Sequence, residues 1–105
     1  MTPEHQEALD PNRTVVAAVQ VLPLADDAYP IIDKAIEAIA ASGVKYEVKP
    51  METAMEGTLD QMLEVAKKAH LACLDAGADK VVTIIKISDE RHGTSMAEKM
   101  KRYQK

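Results

Sequence analysis

The stretch Pro50-Met51-Glu52-Thr53-Ala54-Met55-Glu56-Gly57-Thr58 holds a turn, a short strand and the start of a helix in nine residues. Pro50 stops the extended run Val44 to Lys49 that precedes it, because proline has no N–H to give a sheet ladder. That run alternates Val44, Tyr46 and Val48 against Lys45, Glu47 and Lys49, and a face of charges suits an exposed edge strand. A second strand is predicted over Thr53 to Glu56. Gly57 then releases the chain, and Thr58 opens a T-x-x-Q capping box with Gln61 that sets where the following helix begins. The segment is therefore a hairpin leading into a helix, and what flanks it decides the fold.

Upstream, Thr14 to Leu22 reads as a strand with Val15, Ala17, Val19 and Val21 on one face and Val16, Ala18, Gln20 and Leu22 on the other. Pro23 ends it, Asp26 or Asp27 can cap the next helix, and Pro30 is tolerated in its first turn. Ile32, Ala35, Ile36, Ile39 and Ala40 recur at helical spacing, and Gly43 is a left-handed C-cap, so this helix spans about residues 28 to 42. Downstream, Leu59, Met62, Leu63, Ala66, Ala69, His70, Cys73 and Leu74 form one stripe of a helix that Gly77 ends. Lys80 to Ser88, rich in β-branched residues, is the last strand. Asp89 to Ser95 is a polar loop, and Met96 to Tyr103 is compatible with a short terminal helix.

Strand, helix, strand, strand, helix, strand is the order of an α+β, ferredoxin-like βαββαβ sandwich: a four-stranded antiparallel sheet with two helices on one face. Right-handed crossovers put both helices on the same side and leave the other side bare. The second face of the first strand is nonetheless apolar except for Gln20, whereas a solvent-facing sheet surface normally alternates to polar residues. The expectation is self-association to a dimer or tetramer through the sheets.

The 105 residues make one domain, predicted over residues 14–105, with a polar, proline-containing arm at residues 1–13 that is disordered or loosely docked. Apolar residues are 47% and there is neither Trp nor Phe, so the core must be Val, Ile, Leu, Met and Ala. A net charge of −4 argues against a general nucleic-acid binder. No long apolar run suggests a membrane span and no leader is evident, so a cytoplasmic location is expected. The single cysteine, Cys73, and three scattered histidines give no zinc spacing, and no metal or cofactor is expected.

Thr53 brings a hydroxyl and Glu56 a carboxylate to the hairpin, but three residues apart on an ideal strand they face opposite sides and meet only through a bulge or turn. Gln20 and Lys86 are polar exceptions on apolar strand faces. On the bare side they would border any pocket formed where two sheets meet; alternatively Gln20 satisfies a partner backbone and Lys86 reaches solvent. Arg91 and His92 follow the last strand in a loop that is either solvated or able to hold an anion. His70 and Cys73 neighbour each other on a helix, yet both lie on the apolar stripe, where packing is the expected role. No G-x-G-x-x-G, G-x-x-x-x-G-K-[ST] or G-x-S-x-G motif occurs, and Asn12 is the only Asn, which removes the paired Arg and Asn of an acylphosphatase.

Taken together, V-V-A-A-V-Q-V-L-P-L, Y-E-V-K-P-M-E-T-A-M-E-G and V-V-T-I-I-K-I-S-D-E-R resemble the small cytoplasmic thiamine-binding protein family, YkoF-like, over about Thr14 to Tyr103. The resemblance implies a sheet-paired ferredoxin-like domain, commonly a tetramer, that binds thiamine or its hydroxymethylpyrimidine part at a subunit contact without catalysis. Its hairpin motif falls on Met51, Thr53, Glu56 and Gly57, and its ending on Lys86 and Arg91. The family often has Gly where this chain has Glu52. An aminopyrimidine offers a donor amine and ring acceptors that Glu56, Thr53 and Gln20 can read, and a flat face for Met51 or Met55. With no residue set for a diphosphate, unphosphorylated thiamine is the expected ligand. An ACT-like regulatory or protein-interaction module with a sheet-mediated oligomer interface is the alternative. A small enzyme using Lys86 or Glu56 as acid or base is a third reading, without a supporting constellation.

Overall fold

The structure, a computed structural model, describes residues 8–103. Its elements are β1 (Val15–Pro23), α1 (Tyr29–Ala41), β2 (Lys45–Val48), β3 (Thr53–Gly57), α2 (Leu59–Asp75), β4 (Val81–Ser88) and α3 (Met96–Met100), the last continued by a 3-10 turn at Lys101–Tyr103. The four strands form one sheet in the order β2-β3-β1-β4, with every neighbouring pair antiparallel. The fold is the expected ferredoxin-like α+β arrangement. Most of the predicted arm, residues 1–7, lies outside the described residues. Its end, Arg13, is tied to the body: Nε donates to Asp89 Oδ1 at 2.7 Å and the second guanidinium nitrogen donates to Asp89 Oδ2.

Register assigns every side chain to a layer. Ala17 pairs with Met55 and Ile87, and Val19 with Thr53 and Ile85, so these face the helices. Ala18 pairs with Ala54 and Lys86, Gln20 with Ile84, and Val16 with Glu56 and Ser88, so these face the other way. The core sits between the first set and the helices: Val15, Ala17, Val19, Ile31, Ala35, Ile39, Met55, Met62, Val65, Ala66, Ala69, Cys73 and Ala78 are all buried. It contains no aromatic ring; α1 and α2 pack against each other and contribute the small residues Ala35, Ala66 and Ala69 to it.

Several helix details differ from the sequence reading. The N-cap of α1 is Ala28 without a side-chain hydrogen bond, so neither Asp26 nor Asp27 caps it. Ile31 is buried with Ala35 and Ile39, a stripe one position away from Ile32 and Ile36. In α2, Val65 is buried while Leu63 and Leu74 remain exposed. The capping box is present as predicted: Gln61 N–H donates to Thr58 Oγ1 at 3.1 Å and Thr58 N–H to Gln61 Oε1 at 2.9 Å. Gly57 makes that box possible, because a Cβ built there would lie 2.6 Å from Gln61 Oε1.

The side of the sheet away from α1 and α2 is open along most of its length. Leu22, Val82 and Ile84 are exposed there, and Ala18 is only half-buried. One end is covered by the chain's own tail. Glu56 projects from this face, and its carboxylate accepts the backbone N–H of Met96 at 3.1 Å, drawing the N-terminus of α3 against β3. Met96 is buried there, apart from the main core.

Candidate functional site

A cavity of about 370 Å³ opens between α1, the end of β1 and the β2–β3 hairpin. Its wall is apolar: Val19 and Val21 from β1, Ile32, Ile36 and Ile39 from α1, Val48 from β2, and Ala69 from α2. The hairpin supplies Lys49, Pro50, Met51, Glu52 and Thr53, held by a hydrogen bond from Lys49 N–H to Glu52 O at 2.8 Å. The cavity exists because α1 carries two adjacent rows of isoleucine. Ile31, Ala35 and Ile39 fill the core, and Ile32 and Ile36 are left facing the hairpin.

Thr53 is the buried polar residue of this wall, 6% exposed. Its hydroxyl is both a donor and an acceptor, set in a wall that is otherwise mostly apolar. The charges around the rim are paired off. Lys49 Nζ lies 2.9 Å from Glu47 Oε2, which holds the Glu47 carboxyl below its ordinary range. Glu52 Oε1 lies 2.8 Å from Lys86 Nζ, reached across the open face. Among the described residues the lining carries one cation, Lys49, and one anion, Glu52, each with an ion-pair partner just outside it, which leaves no excess positive charge for a phosphate.

The six residues singled out from the sequence separate into two groups. Gln20, Met51 and Thr53 line the cavity, and Lys86 reaches its rim through Glu52. Glu56 and Arg91 lie at the opposite end of the sheet. Thr53 and Glu56 occupy different faces of β3, with no bulge in the register to bring them together. Glu56 is engaged with the backbone of Met96, and Arg91 borders a shallow cleft with Asp10, Arg13 and His92. Met55 is fully buried and has no face to offer a ligand. His70 and Cys73 do not pair: His70 Nδ1 is 2.6 Å from Thr83 Oγ1, and Cys73 Sγ donates to Ala69 O, with its thiol pKa pushed up by burial.

Sequence reasoning missed Tyr29, Ile32, Ile36 and Val48 as cavity residues. The available signal was the width of the apolar stripe on α1, which exceeds what one core-facing row needs. No helix among the described residues is long and apolar enough to cross a membrane.

Comparison with known proteins agrees with this architecture. A UPF0045 protein of Clostridium perfringens is 44% identical over 92 residues, 86% of this chain and 97% of that one. A Bacillus cereus structure, described as a domain of unknown function, superposes with a TM-score of 0.85 at 45% identity, covering 89% of this chain and 92% of that one. A Thermotoga maritima structure, assigned provisionally to thiamine biosynthesis or salvage, superposes with a TM-score of 0.79 at 29% identity, covering 87% and 99%. The family model described as thiamine-binding protein matches residues 17–104, and the chain belongs to that family.

Proposed function

We propose that this chain binds thiamine, or the hydroxymethylpyrimidine part of it, without transforming it, and that the cavity between α1 and the β2–β3 hairpin is the site. The observation that carries this reading is the coincidence of a mostly apolar cavity of about 370 Å³ with a hydroxyl-bearing residue, Thr53, that is 6% exposed in its wall. Small-molecule sites are typically of about 300–1,000 Å³, mostly apolar, with a few placed polar groups. A pyrimidine ring gains from the apolar wall, and its exocyclic amine or ring nitrogen pairs with the hydroxyl of Thr53. Family membership and the thiamine-related assignment of the Thermotoga relative support the choice of ligand. The paired rim charges favour the unphosphorylated form.

A second copy of the chain covers the open face in this reading. Its support is the exposed apolar set Leu22, Val82 and Ile84 on a sheet surface without a helical layer. Gln20 and Glu52 belong to both the cavity rim and that face, so such an interface borders the site.

Calorimetric titration with thiamine and with hydroxymethylpyrimidine tests the ligand. Heat of binding is expected for wild type and a weaker response for Thr53→Val, which keeps shape and removes the hydroxyl. Absence of heat and of any thermal shift at millimolar ligand overturns the reading. Sedimentation at micromolar concentration tests the interface, and a lone protomer there removes it.

A further inference from the structure

We propose that Tyr29 and Met51 form a clamp that closes on the two faces of a flat heteroaromatic ring at the cavity mouth. This makes Tyr29 a ligand-contacting residue that selects for planarity. The proposal rests on the ligand reading above and adds to it what distinguishes a planar ring from other small molecules of similar polarity.

Tyr29 is 78% exposed and Met51 74%, more than any other large hydrophobic side chain among the described residues. Both line the same cavity. They approach it from two separately anchored elements. Tyr29 is the first residue of α1 and is followed by Pro30, whose fixed φ sets the opening turn. Met51 stands in the hairpin turn that Lys49 and Glu52 close. Nothing in the core needs either side chain: neither belongs to the buried cluster or packs against it. A cation lies over the ring of Tyr103, from Arg102, but none of the described residues places one over that of Tyr29.

The two side chains suit the same guest. The face of a tyrosine ring takes an offset-stacked aromatic partner, and a thioether sulfur makes favourable contacts with a ring about 5 Å away. Both gains require a π-system, so a saturated molecule of equal size and polarity forfeits them. Charge does not do this selecting, because the rim ions are already matched in the Lys49–Glu47 and Lys86–Glu52 pairs. The division of labour is then clear. The Thr53 hydroxyl orients the ring from within, and the clamp holds its faces at the mouth.

The test titrates hydroxymethylpyrimidine and thiamine into wild type, Tyr29→Phe and Tyr29→Ala by calorimetry. Wild type and Tyr29→Phe are expected to bind alike, and Tyr29→Ala about tenfold more weakly, the scale of one stacked aromatic pair. Because Tyr29 is exposed, the melting temperature of unliganded Tyr29→Ala is expected to match wild type. The chain has three tyrosines and no tryptophan, so Tyr46→Phe with Tyr103→Phe leaves Tyr29 as the sole emitter. Its fluorescence is expected to change in saturable fashion with either ligand. Wild type that binds while Tyr29→Ala binds equally well, or while the Tyr29 signal stays flat, overturns the clamp and leaves the ligand reading intact. Wild type that binds neither ligand overturns both.

Discussion

Lys86 of β4 reaches across the open face of the sheet to Glu52 in the β2–β3 hairpin, closing to 2.8 Å. Lys86 stands opposite Ala18, which stands opposite Ala54, and these small residues leave room for the two side chains to meet above them. The pair thus joins a position that the sequence marks as a ligand candidate to the turn of the hairpin. Lys86 is 67% exposed at its side chain, so its attraction to Glu52 is largely screened. Glu52→Gly or Lys86→Met is expected to change unfolding free energy by less than about 1 kcal/mol. Urea unfolding at low and at high salt measures this, and the difference from wild type should shrink as salt rises.

Glu56 acts on the tail of the chain. Its carboxylate receives the Met96 N–H. Glu56→Ala is expected to speed hydrogen exchange at the Met96 amide and loosen α3, while thiamine affinity stays within twofold of wild type. A loss of affinity with α3 still protected would return Glu56 to the ligand site.

The capping box of α2 gives a stability prediction. Thr58→Ala removes the acceptor of the Gln61 N–H and is expected to cost about 1 kcal/mol, whereas Thr58→Ser retains most of it. Gly57→Ala is expected to be destabilising by a different route, since the added methyl displaces Gln61 Oε1 from Thr58 N–H. Denaturant midpoints of the three variants separate these contributions.

The Arg13–Asp89 pair sets an acid limit. The hydrogen bond from Arg13, with its positive charge, holds the Asp89 carboxyl below its ordinary range. A folded-state pKa below the unfolded one means that the stabilisation is complete above the ordinary carboxylate pKa and lost as pH falls through the depressed value. Arg13→Ala is expected to return the NMR titration midpoint of Asp89 to the ordinary range and to flatten this part of the acid-stability curve.

Cys73 is fully buried and its thiol is pushed toward the protonated form. It is expected to resist alkylation in the native state and to react at the rate of a free thiol in denaturant. Rapid native labelling would contradict its burial.

The layer architecture was legible because strand faces and register obey a period of two. Val15, Ala17 and Val19 against Val16, Ala18 and Gln20 already separate the core side from the open side, and the pairing keeps that division. The capping box at Thr58 was legible for the same reason: it is local. The phase of the α1 stripe was harder to read, because Ile31, Ile32, Ile36 and Ile39 fit a helical face whichever row turns inward. The proposed site was legible only in part. Thr53 and Met51 could be named from the hairpin, but Tyr29 and Ile36 join them in the cavity lining through a helix–hairpin approach that no local spacing encodes. The partner of Glu56 was not legible for a related reason: Met96 lies 40 residues further along the chain.

The Arg13–Asp89 clasp lies beside a hydrogen bond from Thr94 N–H to Thr14 O, so both outer segments fasten at the Val15 end of β1. The cavity begins four residues further along that strand, at Val19, a separation of about 13 Å at strand rise. Reporters attached around residues 8–12 or 89–92 would therefore sit at the far pole from the mouth. Dyes, surface tethers or fusion partners placed there can watch a guest arrive without standing in its way.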